Sequence, residues 1–171
     1  IEAIRIDPGF ALAFLLSGYC YGELGEYRRA IEAYTEGIKL YPTISEVNMA
    51  FAFNNRGFNY QRLGKVQQSI NDFTESLTFV KNIPLAFKNR GYSYHLLGEY
   101  LKAIDDYTAE IRIDPTNPFA FNRRGDSYFQ LGEHSKSIDD FTEATRLDPE
   151  FNMAFLNRAS SYSKSGEYYK A

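Results

Sequence analysis

The chain has no tryptophan, one cysteine (Cys20), two histidines and two methionines in 171 residues. A single cysteine cannot close an internal disulfide, which excludes a small disulfide-stapled scaffold and points to a reducing intracellular, cytoplasmic setting. His95, His134 and Cys20 are too few and too scattered for a metal set of familiar spacing, so neither metal nor cofactor is expected. No run of about 18 apolar residues occurs, so membrane insertion is not expected. Basic residues are also short: 19 Lys and Arg against 22 Asp and Glu give a net charge of −3. A surface that tracks phosphates needs clustered basic side chains, so nucleic acid is not an expected partner. The chain opens Ile1-Glu2-Ala3-Ile4, without initiator Met or leader-like segment, and reads as part of something longer. What is present is an ordinary share of hydrophobic residues, 44%, with 14 Tyr and 14 Phe among them.

Those aromatics are periodic. A Leu-Gly-Glu motif or variant stands at Leu24-Gly25-Glu26, Leu63-Gly64-Lys65, Leu97-Gly98-Glu99, Leu131-Gly132-Glu133 and Ser165-Gly166-Glu167, at steps of 39, 34, 34 and 34 residues. Seven residues before each glycine lies a small residue: Gly18, Gly57, Gly91, Gly125 or Ala159. Four before that comes Phe14, Phe53, Phe87, Phe121 or Phe155, and three after it Tyr21, Tyr60, Tyr94, Tyr128 or Tyr162. Further on, Ala30, Ser69, Ala103, Ser137 and Ala171 form a second small column, and the first four precede Tyr34, Phe73, Tyr107 and Phe141 by four residues. Spacings of three, four and seven share one helical face, so each unit is predicted to be a pair of helices turned at the glycine. Pro8, Pro42, Pro115 and Pro149 are expected to end the second helices.

These residues resemble the tetratricopeptide repeat family, whose 34-residue pattern runs large aromatic, Leu, Gly, Tyr, then Ala, aromatic, Ala and Pro. The likeness covers the whole chain: 1–10 as the end of a preceding repeat, 11–44 as repeat one, 45–49 as an insertion, then 50–83, 84–117, 118–151 and a partial fifth repeat at 152–171. It implies an all-α fold, an α-solenoid of antiparallel helix pairs wound as a right-handed superhelix. Each hairpin hides its apolar face only against the next, so the array is expected to continue, or be capped by a neighbour, at both ends. Ser45 is a candidate N-cap, and the insertion is expected to lengthen the following helix or bow the connection.

The pattern also has departures. Arg56, Arg90, Arg124 and Arg158 stand before the small residue, where most such repeats carry Leu. Sixteen residues after the first three come Asp72, Asp106 and Asp140, and the repeat with Ser17 in place of Arg has Ala33 in place of Asp. A charge on a packed face is kept only when paired, so Arg56–Asp72, Arg90–Asp106 and Arg124–Asp140 are expected as structural ion pairs within one hairpin. The alternative pairs each Arg with the preceding repeat's Asp. Glu110 occupies the slot of Gly37, Ser76 and Ala144, while Arg123 occupies that of Asn55, Asn89 and Asn157; these two are expected to compensate each other across the repeat junction.

No nucleophile–base set or phosphate loop emerges, and Asp105-Asp106 and Asp139-Asp140 recur simply because the repeat recurs, so the chain reads as non-enzymatic. Function then falls to the faces that packing leaves free. At about 100° per residue, the first helices present Tyr19, Phe51, Asn54, Phe58, Lys88, Tyr92, Phe119, Asn122 and Phe129 toward a concave side, a candidate peptide-binding groove. Asn55, Asn89 and Asn157 are similar to the asparagine ladder with which family members hold an extended peptide, although asparagine there is also often merely solvated. The family's clamp for chaperone C-terminal carboxylates carries over poorly. Asn89 and Arg123 match, but Asn54, Phe58 and Phe119 replace a Lys, an Asn and a Lys. Starting one repeat later keeps Lys88 but sets Tyr92, Arg123, Met153 and Asn157 in the other places. Chaperone tails are therefore disfavoured. The leading reading is an adaptor that binds a peptide or helical segment of a protein partner. One alternative is the recruiting or regulatory arm of a larger enzyme, similar to the tetratricopeptide portion of the O-linked N-acetylglucosamine transferase; another is a self-associating element of a large assembly.

Overall fold

The five motif glycines, Gly25, Gly64, Gly98, Gly132 and Gly166, all have φ between 73° and 83°. A side chain is strained there, so glycine ends the helix and lets the chain reverse. In four of the turns the amide after the glycine reaches back to the repeating tyrosine's carbonyl at 2.9 Å: Glu26 to Tyr21, Lys65 to Tyr60, Glu99 to Tyr94 and Glu133 to Tyr128. That bond satisfies a carbonyl which the helix end would otherwise leave open. The acidic residue at the turn caps no amide with its side chain. It pairs instead with the base three residues on, as Glu26 with Arg29 and Glu99 with Lys102.

The structure, a computed structural model, describes residues 8–166. Expectations placed on Glu167, on Ala171 and on most of 1–10 lie outside them. Among the described residues there are nine helices and no strand: α1 (Pro8–Glu23), α2 (Tyr27–Lys39), α3 (Glu46–Arg62), α4 (Val66–Phe79), α5 (Pro84–Leu96), α6 (Tyr100–Ile113), α7 (Pro118–Gln130), α8 (His134–Leu147) and α9 (Asn152–Ser165). They fall into two compact units, 1–93 and 94–171, whose boundary lies inside α5. Prolines work at both ends of helices: α2, α6 and α8 stop shortly before Pro42, Pro115 and Pro149, whereas α1, α5 and α7 begin with Pro8, Pro84 and Pro118. A missing N–H costs nothing in the first turn.

In the first unit α1 pairs with α2 and α3 with α4. A Cβ on Gly18 would stand 2.9 Å from the ring of Tyr34, and one on Gly57 2.9 Å from Phe73, so the small column is what brings the helices of each pair together. Ser45 caps α3, accepting from the Asn48 amide at 3.3 Å, and α3 runs 17 residues against 13 for α5 and α7. The added turn brings Met49, beside Ile44, into a cluster with Ala11, Leu15, Phe53 and Phe79. In the second unit α7 pairs with α8, and a Cβ on Gly125 would stand 2.9 Å from Phe141.

Successive hairpins are joined by polar bonds. Ser69 on α4 meets Ser93 on α5 at 2.9 Å, and Ser137 on α8 meets Ser161 on α9 at 2.9 Å, all four fully buried. A buried hydroxyl without a partner would be costly, and each pair removes that cost within the protein.

Candidate functional site

Arg56 and Arg124 lie inside their hairpins. Arg56 on α3 holds Asp72 on α4 in two parallel bonds, Nε to Oδ2 and Nη2 to Oδ1, both 2.8 Å, and its remaining nitrogen donates to Thr35 of the preceding hairpin at 3.1 Å. Arg124 repeats this in the second unit, with Asp140 at 2.8 and 2.7 Å and Thr108 at 3.1 Å. Each guanidinium also rests on the phenylalanine three residues before it, Phe53 and Phe121. Burial pushes the carboxyls of Asp72 and Asp140 above the ordinary aspartate value, and the arginines pull them only part of the way back. Arg90 donates to Thr74 at 3.1 Å, and Asp106 is buried. Arg158 leans on Thr145 at 3.2 Å. Arg56 and Arg124 are thus spent on carboxylates of their own hairpins.

Glu110 on α6 is 1% exposed; it accepts from Asn117 at 3.1 Å and lies 3.6 Å from Nη1 of Arg123 on α7. A carboxylate in a column otherwise held by small residues is thus met by an amide and a cation.

Phe51, Phe58 and Tyr19 on the first helices of unit one, Tyr92 on α5 and Phe119 on α7 are 43 to 54% exposed, large rings left in water. Phe119 also packs on Phe151, with ring centroids 4.7 Å apart. Leu12, Leu85 and Met153 share the register of Phe51 and Phe119 and are exposed as well. Other expected groove residues are less open. Asn54 is 2% exposed and faces the next hairpin, accepting from Asn89 at 3.4 Å and donating to Asn55 at 3.3 Å. Asn122 accepts likewise from Asn157 at 3.0 Å. Lys88 and Phe129 are half-buried. The reason is geometric: Asn54 and Asn122 stand one turn from the exposed register and each meets the asparagine of the next first helix. The ladder amides Asn89 and Asn157 therefore spend a donor on their own protein.

A further register escaped sequence reading. Gln61 reaches across to Ser93 at 2.7 Å, and His95 Nδ1 lies 3.0 Å from Ser127 Oγ. The recurrence of Ser93, Ser127 and Ser161 every 34 residues was the available signal. His95 Nε2 also lies 3.4 Å from Asp126 Oδ2, which places serine, histidine and aspartate in one chain of contacts. Ser127 is fully buried and its hydroxyl donates to the Arg123 carbonyl, so the contacts brace helices rather than present a nucleophile. Among the described residues no group of three or more His, Cys, Asp or Glu could hold a metal, and no helix is long and apolar enough to cross a membrane.

Hairpins closed by glycine turns, packed through small-on-aromatic columns and leaving rings exposed on their first helices, define an all-α repeat scaffold for protein interaction. The chain belongs to the tetratricopeptide repeat family: models of that repeat match residues 11–44, 91–132 and 118–151. No curated protein sequence gives a significant match. Similar solved structures include MamA, at 21% identity over 94% of this chain and 85% of that one with a TM-score of 0.86. A tetratricopeptide repeat protein from Parabacteroides merdae matches at 24% identity over 92% and 61%, TM-score 0.84. The first repeat domain of Spaghetti (RPAP3), bound to the HSP90 peptide SRMEEVD, matches at 20% identity over 71% and 97%, TM-score 0.68. At these identities the likeness is one of fold.

Proposed function

We propose that the chain is a non-catalytic adaptor whose first-helix faces hold a peptide or short helix of a protein partner. The observation that carries this is the series of exposed rings: Tyr19, Phe51, Phe58 and Tyr92 in one unit and Phe119 in the other. Large aromatics in water are a cost to a protein that binds nothing, and such rings are the usual anchors of an interface. The peptide held by a fold neighbour supports the same mode. An acidic tail of that kind is not the ligand proposed here, because Phe58 and Phe119 stand where the family's clamp for chaperone C-termini would carry an Asn and a Lys.

A pull-down from cell extract with the chain, compared with a Phe51→Ser, Phe58→Ser, Phe119→Ser variant of unchanged circular dichroism, tests the reading. Loss of the captured protein from the variant is expected; full retention refutes the groove.

A further inference from the structure

Between α7 and α9 lies a small cleft of about 120 Å³, lined by Asp126, Phe129, Asn157 and Ser160 and floored by Phe141 of α8. Its volume would hold about four waters, the size of one side-chain end and too small for a helix.

The polar groups at its rim are weighted toward acceptors. Asp126, 41% exposed at its side chain, is an acceptor. The hydroxyl hydrogen of Ser160 is committed to the Leu156 carbonyl at 2.9 Å, leaving its oxygen to accept. The Asn157 amide spends one of its two N–H groups on Asn122 and keeps its oxygen as an acceptor. No lysine or arginine lines the cleft. A carboxylate and two further acceptors beside an apolar ring, with no basic residue in the lining, suit a positively charged donor on an apolar stem, and among side chains that description fits lysine and arginine. Phe129 adds a ring wall against which a cation is favoured. In the same register the other repeats have Tyr19, Phe58, Tyr92 and Ser160, so the carboxylate is particular to this place. The neighbours of Asp126 leave room for a stronger partner: Gln130 reaches it at 3.5 Å and His95 at 3.4 Å, both long contacts.

We infer that this cleft seats a lysine or arginine side chain of the bound segment, with Asp126 as counter-ion and Phe129 as apolar wall. The inference rests on the peptide-groove reading and narrows it: the partner segment carries a basic residue where it crosses α7.

The test titrates two capped peptides, acetyl-Ala-Phe-Ala-Lys-Ala-Phe-amide and its norleucine counterpart, into the ¹⁵N-labelled chain, reading the amide shifts of Asp126, Phe129 and Ser160. The lysine peptide is expected to bind about three- to tenfold more tightly, and Asp126→Asn is expected to abolish the preference. Equal binding of both peptides by the unaltered chain overturns the counter-ion role while leaving the groove intact. A lysine preference that survives Asp126→Asn overturns it too. If neither peptide shifts any amide on the first helices, the groove reading falls and this inference with it.

Discussion

Replacing Asp140 by leucine should unfold the protein far more readily than replacing Asp140 and Arg124 together. Asp140 is 5% exposed and accepts both of Arg124's parallel bonds. Removing one member of such a pair strands the other, at a typical cost of about 3–5 kcal/mol. The Arg124 side chain keeps 19% of its surface in water, its Thr108 bond and its seat on Phe121, so the lower end applies, about 3 kcal/mol. For a chain of this size that is a fall in melting temperature of about 6–12 °C. Adding Arg124→Met should return the protein to within about 1 kcal/mol of its starting stability, because well-packed apolar replacements of buried pairs are commonly neutral or better. The upward direction of the Asp140 carboxyl agrees: the folded state binds its proton more readily than the unfolded state, so burial outweighs the arginine. It follows that Asp72 and Asp140 add no acid lability, since stability contributed by a raised carboxyl is gained, not lost, as pH falls toward the unfolded value. Urea unfolding followed by circular dichroism, run as a double-mutant cycle, measures each step. An Asp140→Leu variant within 1 kcal/mol of the parent, or a double variant as unstable as the sum of the singles, would refute the reasoning.

Tyr34, 2% exposed on α2, has its hydroxyl pushed up to about 12 by burial, with a bond to Asn55 pulling the other way. The unfolded chain should lose that proton near pH 10, so stability drains away between about pH 10 and 12, by about 3 kcal/mol in all. A Tyr34→Phe variant titrated alongside should show a shallower alkaline slope; an unchanged slope counts against the assignment. Gly125→Ala presses a methyl against Phe141 and the Asp140 Cβ, at 2.9 and 3.1 Å. Overpacking of about 1–3 kcal/mol against a helix-propensity gain of about 1 leaves a net loss of up to about 2 kcal/mol, readable by thermal melts, and a gain in stability would show the contact to be soft.

The helices and their turns were legible because a helix has a fixed period: Phe, small residue, Tyr and glycine recur at distances that only a helical face accommodates. What the period cannot give is the direction of the next hairpin. Asn54 and Phe58 both lie off the packed face of α3, yet one is covered by the following helix and the other is open. Which is which depends on how successive hairpins rotate, a relation between repeats that no single repeat encodes. The same blindness hid Gln61, Ser93, His95 and Ser127, whose bonds span 32 residues and follow from no local rule. The Arg56–Asp72 and Arg124–Asp140 spacing was readable for the opposite reason, since both members sit in one hairpin and appear together.

Two columns of glycine look alike when the sequence is aligned on itself, and they obey different laws. Around Gly64 and Gly132 a Cβ would meet nothing within 4 Å, yet φ near 75° excludes most residues; the demand there is handedness. Around Gly57 and Gly125 the backbone is ordinary helix and the ring next door excludes the methyl; the demand there is bulk. Asparagine, which tolerates the left-handed region, is a fitting replacement for the first kind and a poor one for the second. For the second kind a smaller side chain opposite is the remedy.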